Sequence, residues 1–161
     1  MRHTTTQRQK KRQQQRMSGG KHHTKRHSSH SHSKIDIKKA AIKLLGLADT
    51  VKLYHWRTSS YPMHKNTDSL GDELNGKIDL FMENLLGMTG VTGRSSAFAL
   101  KGISTIPVKI INTPEEMKRY IHEMKNYLTN GLGRNVPSSV QNVRDDILTD
   151  LNKFLYLTTF K

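Results

Sequence analysis

Two histidines and three carboxylates in this chain are spaced so that they could hold a metal ion: His55, followed by His64, Asp68, Asp79 and Glu83. On a helix that turns about 100° per residue, the last four fall within an arc of roughly 100° and share one stripe. Leu74, Ile78 and Met82 lie beside that stripe, so it borders an apolar face. A histidine or carboxylate placed there needs a partner if it is buried. Imidazole and oxygen donors without sulfur suit Fe, Mn or Zn. The plain alternative is a solvated helix face making surface ion pairs, the usual fate of two acids four residues apart. Asp72 lies on the same arc and is a weaker candidate.

The spacing also divides the donors. Asp79 follows Asp68 by eleven residues, which at 1.5 Å per residue is about 16 Å of helix, too far for one ion. His55 can approach His64 if a short connection folds one helix back on the next, so His55, His64 and Asp68 form one group and Asp79 and Glu83 another. A residue on a later helix could complete either group. The sequence offers no inward histidine and no clear carboxylate pair there. An antiparallel two-fold pairing of second helices would instead bring the Asp79 and Glu83 of one chain to the His55, His64 and Asp68 of another, twice per dimer.

The elements that must position these residues are helices. Ser33-Lys34-Ile35-Asp36 has the form of a capping box. Beyond it Ile37, Ala41, Leu44, Ala48 and Val51 recur three and four residues apart, and the next step reaches His55, which should face inward. A second helix is expected from about His64 to Gly87, after a connection through Ser59, Ser60, Tyr61 and Pro62; Gly71 and Gly76 each weaken it by about 1 kcal/mol relative to Ala. Residues 87–112 form a long glycine-containing connection with an apolar patch at Ile106, Val108, Ile110 and Ile111, and a small strand or helical turn is conceivable near residues 95–100. Such a length suits two helices that point the same way, with the chain returning along the bundle. Thr113-Pro114-Glu115-Glu116 opens a third helix with N-cap, first-turn proline and capping-box glutamate, and Asn130-Gly131 closes it. A last helix from near Ser138 should turn Val143, Ile147, Leu151, Phe154 and Leu155 or Leu157 inward. Tyr120, Tyr127, Phe154, Tyr156 and Phe160 read as core or interface residues, and His122 and Glu123 as surface ones.

The 161 residues carry a formal net charge of +14, unevenly placed. Residues 1–34 contain ten bases and no acid: Arg2, Arg8, Lys10, Lys11 and Arg12, then Arg16, Lys21, Lys25, Arg26 and Lys34. That leaves +4 for residues 35–161. With little but Gln, Ser, Thr, His, Gly, Lys and Arg, this segment cannot bury enough apolar area to offset ordering entropy, so a disordered basic tail is expected. Ten uncompensated cations point to nucleic acid, with DNA the partner expected. A mitochondrial transit peptide would need an apolar helical face, which is absent. His22, His23, His27, His30 and His32 could bind a transition metal, but an unstructured segment that gains charge in acid is the simpler reading. The chain divides into residues 1–34, the tail, and residues 35–161, a helical domain.

Taken jointly, the donor spacings resemble the ferroxidase signature of the Dps family (DNA-binding protein from starved cells) of the ferritin superfamily: His55-Trp56, His64 with Asp68, then Asp79 with Glu83. Gly87-Met88-Thr89-Gly90-Val91-Thr92-Gly93 is similar to that family's glycine-rich turn, and Asp150-Leu151-Asn152-Lys153-Phe154-Leu155-Tyr156 to its last helix. The resemblance covers the chain from about Ile35 onwards, closely in the first half and loosely in the second. It implies an all-α, ferritin-like four-helix bundle with a long crossover between the second and third helices. It further implies that His55, His64 and Asp68 of one subunit and Asp79 and Glu83 of a two-fold neighbour form an inter-subunit site for one or two non-haem iron ions. Ferrous iron would be oxidised there, preferentially by hydrogen peroxide, with Trp56 beside the site. The family forms hollow homo-oligomers, at least a two-fold dimer and usually a dodecamer, and many members bind DNA through basic termini.

Other chemistries find little support. There is no cysteine, which removes disulfides, thiolate metal sites and cysteine nucleophiles. P-loop, Rossmann, G-x-S-x-G and H-E-x-x-H patterns are absent, as is the Glu-x-x-His of ordinary ferritins. No apolar run reaches the ~18 residues of a membrane span, and no secretory signal follows Met1. A soluble, intracellular protein associated with a nucleoid, chromatin or a virion is expected. The competing function is architectural: a DNA-packaging protein that uses the bundle only to oligomerise.

Overall fold

The computed structural model describes residues 35–88, 99–132 and 136–160. The ten basic residues of residues 1–34, the histidines His22, His23, His27, His30 and His32, the expected Ser33 cap and most of residues 87–98 lie outside the described residues. Among those described, four α-helices and no strand are found: α1 (Ile37–Arg57), α2 (Tyr61–Met88), α3 (Pro114–Asn126) and α4 (Ser138–Leu157). No helix among them is long and apolar enough to cross a membrane.

The start of α1 differs from the sequence expectation. Asp36 has extended backbone angles and is itself the N-cap, its carboxylate accepting the Lys39 amide at 2.9 Å. It therefore cannot be the third helical residue of a box opened by Ser33. The buried face of α1 is also wider than the expected stripe, because Ala40, Leu47, Thr50 and Tyr54 join Ala41, Leu44, Val51 and His55. Helix α2 starts three residues earlier than expected, at Tyr61, leaving only residues 58–60 between the helices. Proline fits because its missing N–H is one that the first turn would leave unpaired. Ser60 supplies the cap, its carbonyl accepting from the His64 amide at 2.8 Å and its hydroxyl lying 3.5 Å from the Met63 amide. The glycines within α2 are tolerated because Leu70, Leu74, Ile78, Phe81 and Leu85 are buried along one side.

Helix α3 has the expected cap: Thr113 accepts from the Glu116 amide while Glu116 accepts from the Thr113 amide, with Pro114 in the first turn. It does not end directly at Asn130-Gly131 but passes through a π-helical turn, Tyr127–Gly131. A Cβ on Gly131 would stand 2.5 Å from the Tyr127 ring, so only glycine lets that ring fold over the turn. On α4, Val140, Val143, Ile147, Leu151 and Phe154 are buried as the periodicity requires, whereas Leu155 and Leu157 are only half-buried.

The four helices share one apolar core whose fully buried members include Phe81, Leu44, Leu74, Met117, Ile121 and Leu151. Helix α2 packs chiefly on α1 and α4, while α3 rests against α4 and α1. The α2–α4 pair is antiparallel, because Ser139 Oγ meets Met88 Sδ at 3.0 Å near one end and Asp150 meets Lys77 at 2.6 Å farther along. The described part of the long connection lies along α1. The Lys109 amide donates to Thr50 Oγ1 at 3.0 Å, Arg57 donates to Asn112 Oδ1 at 2.9 Å, and the Pro107 carbonyl lies 2.8 Å from where a Cβ on Gly46 would be.

Candidate metal centre

The three-residue connection between α1 and α2 brings His55, in the last turn of one helix, against His64, in the first turn of the next. Their rings stack with centroids 4.0 Å apart and planes 24° apart. Each ring also bonds to the other residue's backbone: His55 Nδ1 lies 3.0 Å from the His64 carbonyl, and His64 Nδ1 lies 3.1 Å from the His55 carbonyl. The His55 carbonyl is among the last four of α1, which have no amide partner within the helix. His64 supplies one. A carbonyl can only accept, so both Nδ1 atoms carry hydrogen, and in the neutral rings both Nε2 atoms hold free lone pairs. Donating one ring N–H to a carbonyl while leaving the other nitrogen free is the arrangement that orients a metal-ligating histidine.

Asp68 stands one turn beyond His64. One of its carboxylate oxygens is 3.7 Å from His55 Nε2 and the other is 3.7 Å from Lys65 Nζ. The first separation is too long for a hydrogen bond. Two donors about 2.1 Å from one first-row ion stand about 3.0–3.4 Å apart, so His55 and Asp68 would close by a few tenths of an ångström to share one. His55 is buried, whereas His64 and Asp68 are half-buried, so the cluster opens to the surface. Asp79 and Glu83 are exposed on α2, as is Asp72. They do not join the trio: the eleven residues from Asp68 to Asp79 amount to about 16 Å of helix. Among the described residues no three such side chains converge tightly enough to hold an ion within a single chain.

Two further side chains stand out on these helices. Trp56 is 69 % exposed, with Lys52 Nζ 5.8 Å from its ring centroid. Asp150 is a single inward carboxylate on α4, the helix in which the sequence showed no clear carboxylate pair. Its side chain is 9 % exposed and accepts from Lys77 Nζ at 2.6 Å, and Glu73 accepts from the same ammonium at 3.2 Å. Burial alone would lower the Lys77 pKa, but the hydrogen bonds to Asp150 and Glu73 outweigh it and hold it above the ordinary lysine value. Asp150 was detectable in the sequence, lying three residues after Ile147 and four before Phe154 on the buried face.

Residues 55–157 match the model of a family described as "Family of unknown function (DUF5856)". The chain belongs to this family. The matched span begins at His55 and contains all five candidate donors together with Lys77 and Asp150, but neither the basic tail nor most of α1. No curated protein and no solved structure matches the chain.

Proposed function

We propose that the chain is a Dps-like, ferritin-type protein that binds and oxidises ferrous iron at a site completed by a second copy, and that its basic tail binds DNA. The observation that carries this reading is the reciprocal hydrogen bonding of His55 and His64 through their Nδ1 atoms, which leaves the Nε2 atoms to other partners, that of His55 3.7 Å from Asp68. This is half of a ligand set. Asp79 and Glu83, exposed about three turns farther along the same helix, can supply the other half only to a different chain in an antiparallel pair. In the reaction, each ferrous ion gives up one electron and a pair of them reduces one peroxide to water. The histidines supply neutral donors, and the carboxylates offset the charge gained on oxidation.

The path of the connection supports the ferritin-type crossover. From Gly46 through Thr50 to Arg57, α1 advances eleven residues, about 16 Å. Its partners Pro107, Lys109 and Asn112 advance five residues, about 17 Å of extended chain. The connection thus travels in the direction of α1 and delivers α3 to the end where α2 began, so that α2 and α3 point the same way.

Complementation tests the shared site. His64→Ala/Asp68→Ala and Asp79→Ala/Glu83→Ala should each oxidise ferrous iron very slowly, and their mixed dimers should recover part of the rate. Proven mixed dimers without recovery would place each site within one chain. For the tail, affinity for duplex DNA should fall steeply with salt, and a chain starting at Ile35 should bind far more weakly at ~0.15 M salt. Equal affinity would move DNA binding to the helical domain.

The second reading, an architectural DNA-packaging protein, is favoured by one observation: no three donors close up within the described chain. The His55–His64 pair is then a fastener for the α1–α2 hairpin. Titration with ferrous or zinc ion decides between them, because a fastener binds neither stoichiometrically.

A further inference from the structure

The apolar patch of the long connection is only partly used by the core. Ile111 is buried and Ile106 half-buried, whereas Val108 and Ile110 are 39 % and 63 % exposed. The segment runs extended beside α1, and its backbone alternates as a strand does. The Pro107 carbonyl and the Lys109 amide, two residues apart, both face α1, one against Gly46 and the other bonded to Thr50. In an extended chain successive residues present their N–H and C=O groups to opposite edges. Ile106, Val108 and Ile110 therefore turn theirs away from α1, and among the described residues nothing bonds to them. That is the free edge of a strand without a neighbour. Proteins commonly guard such an edge with a lysine or a proline. Here both are turned away: the missing N–H of Pro107 falls on the α1 side, and the Lys109 ammonium is folded back onto Glu123 at 2.5 Å and over the Tyr120 ring at 4.9 Å.

A free edge accepts extended backbone, and the charges beside it narrow the choice. The groove next to it, about 280 Å³, is lined by Ile110 and Tyr120 and by the charged Lys109, Glu116, Arg119 and Glu123, two cations against two carboxylates. These cancel locally: Glu123 takes Lys109, and Glu116 is bonded to the Asn112 and Thr113 amides with the Arg119 charge nearby. Lys43 and Arg57 share the face of α1 that carries Gly46 and Thr50, so they lie behind the opposite edge. A polyanion or a charged peptide gains nothing at such a place, whereas an uncharged β-branched segment fits it. Residues 103–112 are the longest non-helical run among the described residues, and they are such a segment. A second copy matches the edge group for group. An antiparallel pair about a two-fold axis at Val108 sets Ile106 against Ile110 of the other chain, and each of these residues exchanges both backbone bonds. Centring the pair on Lys109 would need the Asn112 amide, which Glu116 already holds.

We infer that residues 106–110 form a strand-pairing edge at which two copies of this chain join antiparallel about Val108. The pairing uses no residue of the metal centre and none of residues 1–34, so it stands whether or not the iron and DNA readings hold. One strand pair is smaller than the about 1,200 Å² that a stable interface buries. The contact is therefore weak by itself, and a covalent trap is the way to read it.

The chain has no cysteine, so single cysteines can be placed in the full chain without side reactions. Val108→Cys should cross-link to its own copy when diamide is added, because the α-carbons of such a facing pair stand about 5.5 Å apart, within disulfide reach. Ile110→Cys alone should not, since its two copies lie about 14 Å apart along the strands, but an equal mixture of Ile110→Cys and Ile106→Cys should. Asn142→Cys, exposed on α4, sets the rate of chance collision. Val108→Cys should exceed that rate at least about tenfold. Adding Ile110→Lys to the Val108→Cys chain should slow its cross-linking at least about fivefold by guarding the edge. Circular dichroism checks that every variant keeps its helices. The inference is overturned if Val108→Cys reacts no faster than Asn142→Cys, if Ile110→Cys alone is as fast as Val108→Cys, or if Ile110→Lys changes nothing. An edge reserved for an extended segment of some other protein would give the first of these results.

Discussion

Removing the Lys77 ammonium should destabilise the protein more than removing the carboxylate it binds, because the two ends of this ion pair are unequally buried. Asp150 has a side chain 9 % exposed, against 30 % for Lys77. Truncating Lys77 to Ala leaves a buried carboxylate facing an apolar gap between α2 and α4. Breaking a fully buried pair from one side costs about 3–5 kcal/mol, and an exposed pair about 0–1 kcal/mol. With one partner buried and water able to enter beside the other, about 2–3 kcal/mol is expected for Lys77→Ala. Asp150→Ala leaves an ammonium that keeps Glu73 at 3.2 Å and can turn into solvent, so its cost should be about 1 kcal/mol. Replacing both with apolar residues, Lys77→Met with Asp150→Leu, removes the desolvation penalty and should come within about 1 kcal/mol of the parent. Urea unfolding followed by circular dichroism at fixed protein concentration measures all three. The reasoning fails if Asp150→Ala costs as much as Lys77→Ala, or if the double replacement costs the sum of the single ones.

Gly46→Ala should lose about 1 kcal/mol despite the better helix propensity of alanine, because its Cβ would sit 2.8 Å from the Pro107 carbonyl, while Gly71→Ala, with nothing within 4 Å, should gain about 0.5–1 kcal/mol. The same unfolding measurement separates them, and a shared sign would refute the packing of the connection on α1. Thr113→Ala should cost about 1 kcal/mol by removing the N-cap of α3, with Thr113→Ser largely restoring it. Alkaline pH should destabilise the fold: burial first, and the nearby Asp36 charge second, push Tyr127 up to about 12 from the ordinary tyrosine value of 10.0. The unfolded chain loses that proton earlier than the folded one, so stability is complete below pH 10 and falls as pH rises from there towards 12. Tyr127→Phe should flatten the fall, and an unchanged profile would show that the ring contributes nothing to it.

What the sequence disclosed depended on how local the cause was. The cap of α3 could be read off Thr113, Pro114 and Glu116 because every atom involved lies within four residues. The inward placing of His55 followed from the same spacing that buries Leu44 and Val51. The start of α1 was misplaced because Ser33 and Asp36 are both good caps and sequence cannot rank them. Asp150 was passed over because an acid among Ile147, Leu151 and Phe154 breaks an apolar pattern, and its partner, Lys77, is 73 residues away. The mutual bonds of the histidines were invisible for a related reason. They depend on how sharply residues 58–60 turn, and the turn is tighter than the composition of that stretch suggested.

That tight turn also bears on what the proposed metal centre could do alone. Had α2 begun at His64, as expected, the first turn would have left His64 on a frayed end with its ring free to rotate. Starting at Tyr61 puts His64 at the close of the first turn, with its amide bonded to Ser60 and its carbonyl available to His55. The two rings thereby hold each other, and neither depends on an ion for its orientation. A centre preorganised in this way loses little side-chain freedom when it binds, which favours affinity even with few ligands. Asp68 is the exception, since its carboxylate is shared at 3.7 Å with Lys65 and must shift to meet His55. Under the proposed function, replacing Lys65 should therefore alter metal affinity more than replacing a surface lysine ordinarily would, whereas the distant Asp79 and Glu83 would matter only through a second chain.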